Sequence, residues 1–151
     1  MLEKQDRHKQ ALLTWLTMLR ASGSIRKSID FRLRDQFGVS IARFDVLAAL
    51  ERAGRNGLRA GELSRKLVVS DGNTTQIMGK LVTKGYVLRR RDESDARAVI
   101  YSLSDEGAAL FQEMAVAHHG WIDDIFSDLP SSEIAALRDM LNRLPPQPSQ
   151  D

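Results

Sequence analysis

The sequence contains no cysteine among its 151 residues. This absence excludes disulfides, thiolate zinc sites, cysteine nucleophiles and thiol redox sensing. Three histidines remain as candidate nitrogen ligands, and two of them, His118 and His119, are adjacent in the chain. Adjacent side chains on a helix point about 100° apart and do not converge on one ion. We therefore predict no metal site and no cofactor.

Long hydrophobic runs are also missing. No apolar segment approaches the ~20 residues that a membrane-spanning helix needs, and the start of the chain lacks the apolar stretch of a signal peptide. We therefore expect a cytoplasmic protein with no membrane partner. The sequence also lacks a Gly-x-Ser-x-Gly nucleophile motif, a phosphate-binding loop and a His-Glu zinc motif. We therefore predict no catalytic residue and no enzymatic activity.

Each half of the chain is poor in charge of one sign. Hydrophobic residues make up 42% of the sequence, which is typical of one globular domain. Residues 20–97 contain 17 Lys and Arg against 9 Asp and Glu, a net charge of +8, whereas residues 104–151 contain 2 against 9, a net charge of −7. The basic part of such a chain can attract a polyanion, while the acidic part repels it. The pattern indicates a nucleic-acid-binding protein.

Long amphipathic helices are predicted at both ends of the chain. Apolar residues recur every three or four positions over about the first 35 residues, and Gly38 ends this first helix. Two capping serines predict a fifth and a sixth helix near the C-terminus. A small domain cannot cover these apolar stripes alone. We therefore predict a homodimerisation region over residues 1–38 and 104–146, followed by a disordered tail over residues 147–151.

A helix-turn-helix motif is predicted between these regions. One short helix runs from Ala60 to Leu67, and a second opens in the polar cluster that includes Ser70. The outward face of the second helix carries amides, hydroxyls, glycines and a lysine: Gly72, Asn73, Thr75, Gln76, Gly79 and Lys80. Amides can pair with adenine, and Gly allows close approach of the backbone, whereas a merely solvated helix more often carries Glu and Lys pairs. This face, with Ser70, predicts recognition of the DNA major groove.

A β-hairpin is predicted next. Residues 86–91 and 98–103 alternate in polarity and are rich in β-branched or aromatic side chains, and a turn-prone charged segment joins them. Its arginines are Arg89, Arg90, Arg91 and Arg97. An arginine at a hairpin tip can enter a narrow minor groove, and Asp95 is positioned to hold the guanidinium of Arg97. The hairpin is interpreted as a DNA-binding wing, and a solvated charged turn is the alternative.

The predicted fold class is therefore mainly α with a small β-hairpin wing, and residues 39–103 form a winged helix-turn-helix DNA-binding domain. Long helices on either side of this domain form the dimerisation region.

Four motifs complete the pattern: Gly61-Glu62-Leu63-Ser64, the segment from Leu81 to Arg89, Asp95-Ala96-Arg97 and Leu103-Ser104-Asp105-Glu106-Gly107. With the order of predicted elements, they resemble the MarR family of bacterial transcriptional regulators from Leu12 to Leu144. The resemblance implies a homodimer on a palindromic operator, with Arg97 as the wing-tip arginine and Asp95 as its orienting partner. Ala96 departs from the family pattern, where a second arginine is frequent, and this puts the strength of the wing contacts in doubt. Ser104 replaces the usual threonine and keeps its capping hydroxyl.

Three further segments, 43–48, 69–75 and 117–121, are similar to the branch of this family that controls the degradation of aromatic acids. The similarity implies a small effector, an aromatic acid or its coenzyme A thioester. Trp15, Arg43, Phe44 and His118 are predicted to form its pocket, as an aromatic wall and a cation for an anion. The open alternative is core packing of the rings and a phosphate contact of Arg43. The basic residues Arg26, Lys27, Arg32 and Arg34 are candidates for the phosphates of a thioester.

We therefore expect a ligand-responsive transcriptional repressor that binds double-stranded DNA as a homodimer and is released by its effector. An effector-independent protein, either architectural or a constitutive repressor, is the main alternative. A winged helix that binds RNA is a more distant one.

Overall fold

The structure is a computed structural model that describes residues 2–67 and 73–145. Its helices are α1 (Leu2–Phe37), α2 (Ile41–Ala53), α3 (Ala60–Lys66), α4 (Thr74–Thr83), α5 (Asp105–Ile125) and α6 (Ser131–Asn142), with a 3-10 turn at Gly54–Asn56. Its strands are β1 (Leu58–Arg59), β2 (Val87–Arg91) and β3 (Val99–Leu103). The predicted fold class, mainly helical with a small β wing, is confirmed. Among the described helices, none is long and apolar enough to cross a membrane.

The helix boundaries follow from local chemistry. Gly38 ends α1 with a φ of +66°, a left-handed conformation that glycine adopts without strain. The Ser40 hydroxyl then accepts the backbone N–H of Arg43 at 3.3 Å and caps α2. Ser104 caps α5 in the same way, by accepting the N–H of Gly107 at 3.0 Å. The predicted caps of the second and fifth helices are confirmed.

The three strands form one antiparallel sheet in the order β1-β3-β2. Val87 lies opposite Leu103 in the wing hairpin, and Leu58 of β1 lies opposite Tyr101. The hairpin is confirmed, but β1 was not predicted. A strand of two residues is too short to show an alternating pattern, and only its pairing with β3 makes it a strand.

The core lies around α2, which packs against α1, α3, α4, α5 and β3. The largest fully buried side chains are Leu33, Leu47, Leu50, Leu63, Met78 and Met114. Each of the helices α1 to α5 therefore contributes at least one side chain to one hydrophobic cluster. This cluster holds the helix-turn-helix segment and the sheet in fixed relation to the C-terminal part of α1 and to α5.

The N-terminal half of α1 and the whole of α6 leave apolar side chains uncovered. Leu13 is 47% exposed and Trp15 is 54% exposed, and no residue of α6 is buried. A groove of about 670 Å³ lies between the two helices, with Leu13, Trp15, Met18, Leu137 and Leu141 among its lining residues. Exposed apolar surface of this extent is typical of an association face. The predicted tail, residues 147–151, lies outside the described residues.

Candidate nucleic-acid interface

The recognition helix predicted from the sequence is α4, and its two faces differ as expected. Met78 and Leu81 are each 2% exposed and face the core, and Thr74 and Ile77 are half-buried beside them. The predicted outward residues within the described part of the chain are all exposed: Asn73, Thr75, Gln76, Gly79 and Lys80. The two other predicted contacts here, Ser70 and Gly72, lie outside the described residues.

Two amides on the outward face contact each other. The Asn73 Nδ2 donates to the Gln76 Oε1 at 2.7 Å. Asn73 is the residue before the first turn of α4, yet its side chain does not cap the helix. The contact leaves the Asn73 Oδ1 as an acceptor and both Gln76 Nε2 hydrogens as donors on the exposed surface. A hydrogen-bonding surface of both polarities suits the edge of a base pair.

The wing follows directly from the recognition helix. The backbone N–H of Tyr86 donates to the carbonyl of Leu81 at 3.0 Å, and Gly85 turns the chain with a φ of +78°. Strand β2 packs against α4. Strand β2, at the base of the wing, and α4 therefore belong to one packed unit.

The wing arginines do not share one environment. Arg89, Arg90 and Arg91 are exposed, but the Arg90 Nη2 donates to the backbone carbonyl of Asn56 at 3.1 Å. This hydrogen bond ties the wing strand to the 3-10 turn before β1. Of the three predicted DNA contacts on this strand, Arg90 thus has an internal partner.

The predicted contact between Asp95 and the Arg97 guanidinium is wrong for this structure. The Asp95 Oδ1 accepts the backbone N–H of Arg97 at 3.0 Å. A carboxylate readily binds the backbone N–H two residues later, because this closes a compact turn. Asp95 therefore shapes the tip loop, and the exposed Arg97 side chain extends from it.

Asp92, at the base of the tip, was not predicted to have a role. Its Oδ1 accepts the backbone N–H of Ser94 at 2.9 Å and the Ser94 hydroxyl at 2.8 Å, and its Oδ2 accepts the Arg59 Nη2. The hydrogen bonds from Ser94, and then that from Arg59, lower the pKa of Asp92 to about 2. The contact with Arg59 joins residues 33 positions apart, so no local pattern could have indicated it.

The four predicted effector residues do not form one pocket. Phe44 is 8% exposed, and its ring centre lies 4.9 Å from that of His118 and 5.6 Å from that of Phe111. Burial, and then the neighbouring His119, lower the pKa of His118, against a smaller opposite effect of Asp45. These contacts favour the alternative of core packing for Phe44 and His118.

Trp15 lies elsewhere, in the groove between α1 and α6. Arg43 is half-exposed, and its side chain makes no ion pair or hydrogen bond with the described residues. Within one chain Trp15 lies apart from Arg43, because α2 crosses α1 near Arg26 and Asp30, far along the helix from Trp15.

A different cavity, of about 560 Å³, lies between α1 and the start of α2. Three of the basic residues considered for thioester phosphates line it, namely Arg26, Lys27 and Arg34. The fourth, Arg32, instead approaches Asp124 at 3.7 Å and lies 5.9 Å from the centre of the Trp121 ring.

Asp30 and Phe31 also line this cavity, and neither was predicted to do so. The Asp30 carboxylate accepts the backbone N–H of Ile41 and the Arg34 Nε, each at 2.8 Å. Burial disfavours the charged form, but these hydrogen bonds outweigh it and hold the pKa of Asp30 below its ordinary value. Phe31 is 70% exposed. Within residues 2–67 and 73–145, no group of three or more acidic or histidine side chains could hold a metal ion.

Comparison with known proteins identifies the relatives of this chain. Residues 37–98 match the profile described as the MarR family. The HTH-type transcriptional regulator PecS of Dickeya dadantii (strain 3937) is 28% identical over 94% of this chain and 86% of its own length.

Solved structures show the same fold. A MarR family transcriptional regulator from Silicibacter pomeroyi has a TM-score of 0.74 and is 29% identical, over 92% of this chain and 98% of that one. A mutant MarR from E. coli, solved with operator DNA, has a TM-score of 0.78 and is 22% identical. The match covers 91% of this chain and 96% of that one. The named relatives are transcriptional regulators, in agreement with the prediction that this chain is not an enzyme. The chain is thus similar to MarR family transcriptional regulators over most of its length, and its residues 37–98 match the family itself.

Proposed function

We propose that this chain binds double-stranded DNA as a homodimer and represses transcription from a palindromic operator. The observation that carries the proposal is the outward face of α4, where Asn73, Thr75, Gln76 and Lys80 are exposed while Met78 and Leu81 fix the helix from behind. The face offers donors, acceptors and one cation, without an acidic residue. Such a face is better suited to contact base edges in a major groove than a helix face that serves only to contact solvent.

The homodimer is supported by the groove between α1 and α6. Leu137 and Leu141 of α6 line it together with Leu13 and Trp15 of α1, and none of the described residues covers this groove. Burial of this apolar surface on a second copy would stabilise the dimer. Two copies related by a two-fold axis present two α4 helices, which fits a palindromic site. The E. coli relative solved with operator DNA has the same fold.

The test is selection of binding sites from random duplexes by the purified full-length chain, followed by footprinting. We expect an enriched palindrome with half-sites about one helical turn apart, protected symmetrically. Enrichment of no sequence, with salt-sensitive coating of any duplex, would instead indicate an architectural protein. Preference for RNA over DNA would contradict the proposal. A reporter with the selected site over its promoter then tests repression, because a repressor lowers expression and an activator raises it.

We propose further that an aromatic acid or its coenzyme A thioester is the effector, and that it binds in the cavity between α1 and the start of α2. Phe31 offers a ring face there, and Lys27 offers a cation that makes no ion pair with the described residues. Arg34 lies beside them and pairs with Asp30. Asp30 in turn holds the first residue of α2, so a ligand that competes for Arg34 acts on the joint between the two helices.

Calorimetry with benzoates, hydroxycinnamates and their coenzyme A thioesters tests this proposal. We expect one class to bind the parent and to release it from its operator, and Lys27→Ala to lose that response while it still binds the operator. Arg32→Ala is the matched control, because Arg32 faces Asp124 and Trp121 instead of the cavity. No binding by any compound would favour the effector-independent regulator. A parent-like response of Lys27→Ala would exclude this cavity.

A further inference from the structure

Arg59 occupies an unusual position for an arginine. It is the residue before the first turn of α3, where Ser, Thr, Asp and Asn are preferred because their side chains accept backbone N–H groups. A guanidinium has no acceptor, so Arg59 cannot cap the helix with its side chain. Its own backbone N–H donates to the Glu62 Oε2 at 2.8 Å. The side chain is thus left to act elsewhere, and its Nη2 donates to the Asp92 Oδ2.

Asp92 occupies a matching position in the wing. It is the first residue after β2, and its backbone N–H donates to the carbonyl of Ala98 at 3.0 Å, beyond the last strand pair of Arg91 and Val99. Its side chain is only 12% exposed. Its second carboxylate oxygen is occupied by two hydrogen bonds from Ser94. Asp92 therefore joins the tip loop, through Ser94, to the body of the domain, through Arg59.

The sheet alone does not fix the wing tip. Arg59 and Arg90 both lie opposite Ile100, on either side of β3, and residues 92–98 extend beyond the last pair of the ladder. No strand pair fixes the direction of this tip loop, and the hairpin end that carries it is paired on one side only. The contact between Arg59 and Asp92 bridges β1 to this extension, and thus restrains the direction in which the tip points.

We propose that Arg59 and Asp92 are positioning residues, which hold the wing tip in the direction that lets Arg97 reach DNA. The inference rests on the proposed DNA binding. Neither residue has to contact DNA for this role.

The sign of one substitution separates positioning from simple electrostatics. Asp92→Asn removes a negative charge near the DNA, so a purely electrostatic effect raises the affinity. If the carboxylate positions the wing, the same substitution lowers the affinity, because the ion pair with Arg59 is lost while the shape of the side chain is kept. Glu93→Gln is the matched control. Glu93 is the next residue and is exposed, and it makes no ion pair or hydrogen bond with the described residues.

The experiment uses the full-length chain and the duplex obtained by site selection, in two lengths: one with the flanking base pairs that the wing would reach, and one trimmed to the two half-sites. We expect Asp92→Asn and Arg59→Gln each to lose roughly five- to tenfold in affinity on the long duplex, and less than about twofold on the trimmed duplex. Glu93→Gln should bind both duplexes as tightly as the parent or more tightly. In an Arg97→Ala background, Asp92→Asn should cause no further loss.

Parent-like or tighter binding of the long duplex by Asp92→Asn would overturn the inference. An equal loss on both duplexes would also overturn it, since this is the signature of general destabilisation, and thermal unfolding of each variant checks the same point. If Asp92→Asn does not fold, Arg59→Gln is compared on the two duplexes, and the difference between them decides, because the loss of a positive charge lowers the affinity in either case. A parent that selects no duplex at all would mean that the proposed function fails, an outcome distinct from failure of the positioning role.

Discussion

Gly107 lies so close to the backbone carbonyl of Tyr86 that a β carbon on residue 107 would be 1.9 Å from that oxygen. The contact lies where the first turn of α5 meets the exit of α4. The hydroxyl of Ser104 strengthens the same junction, because it donates to the carbonyl of Gly85 at 2.5 Å while it accepts the N–H of Gly107. The start of α5 thus packs directly against the segment that joins α4 to the wing strand β2.

We predict that Gly107→Ala lowers the free energy of unfolding by about 1–3 kcal/mol or more, because the backbone of Tyr86 has to move to accommodate the methyl group. Denaturant unfolding measures the change. Gly120→Ala, in the same helix, is the control. A β carbon at residue 120 meets no atom within 4 Å, so this substitution should be neutral or stabilise by up to about 1 kcal/mol. Equal effects of the two substitutions would contradict the prediction.

On the outward face of α4, Gln76→Ala should reduce sequence specificity more than affinity for unrelated DNA, because an amide reads base edges and releases no counterion. Lys80→Ala should do the reverse: it should weaken binding to all sequences and reduce the slope of log affinity against log salt by about one unit. Site selection and salt titration with both variants test this pair. If Gln76→Ala selected the parental motif with undiminished preference, the recognition face would have been assigned wrongly.

At the wing tip, Arg97→Ala should weaken operator binding by roughly 1–3 kcal/mol, with the largest loss at A·T-rich flanks, because a narrow minor groove attracts an arginine. The fold should be nearly unaffected, since Arg97 is exposed. Arg143→Ala, which removes the same charge just after α6, is the control and should bind like the parent. Parent-like affinity of Arg97→Ala at every salt concentration would exclude a wing contact.

The proposed dimer predicts different outcomes for two exposed leucines. Leu13 is 47% exposed in the groove between α1 and α6, and Leu88 is 55% exposed on the wing. Leu13→Glu should convert the protein to a monomer, because it places a charge in the association face. Leu88→Glu should remain dimeric. Sedimentation measures both, and a folded parent that is monomeric at micromolar concentration would rule out the dimer.

The pKa of His118 predicts how stability depends on pH. Because the pKa is lowered from its ordinary value of 6.5 by burial and by His119, the unfolded chain takes up a proton more readily than the folded chain. The contribution of neutral His118 to the free energy of unfolding is therefore complete above pH 6.5. It is lost as the pH falls below 6.5 and through the lower pKa of the folded chain. We expect His118→Phe, which keeps a ring against Phe44, to show a flatter profile than the parent. The exposed control His119→Gln should retain most of the dependence, and parallel profiles of parent and His118→Phe would contradict the assignment.

The features that could be predicted from the sequence are those with local causes. Gly38 and Ser104 mark helix boundaries through their own backbone and hydroxyl chemistry, and the periodicity that includes Met78 and Leu81 defines the inward face of α4. For the same reason, the hairpin was predictable from alternation of residues.

The features that were missed depend on where distant segments meet. The contact of Arg59 with Asp92 spans 33 positions and exists only because β1 and β2 flank the same strand. Trp15 and Phe44 were predicted to share a pocket because both are aromatic and both lie in helices next to the predicted DNA-binding helices. Their separation depends on which turn of a 36-residue helix meets α2, and periodicity does not contain that information.

The hydrogen bond from the Ile41 backbone N–H to Asp30 affects which distance between the two half-sites of an operator the proposed dimer accepts. Only three residues separate α1 from α2, and this bond, with the ion pair of Arg26 and Asp45 at 3.2 Å, stiffens the joint between them. In the proposed dimer each subunit has one such joint, so a small bend at both changes the distance between the two α4 helices twice over. Successive major grooves on one side of DNA lie about 34 Å apart. In the proposed dimer, the stiffness of the two joints therefore determines which half-site spacings are tolerated. Stiffer joints narrow the range of distances at which both α4 helices can enter their major grooves.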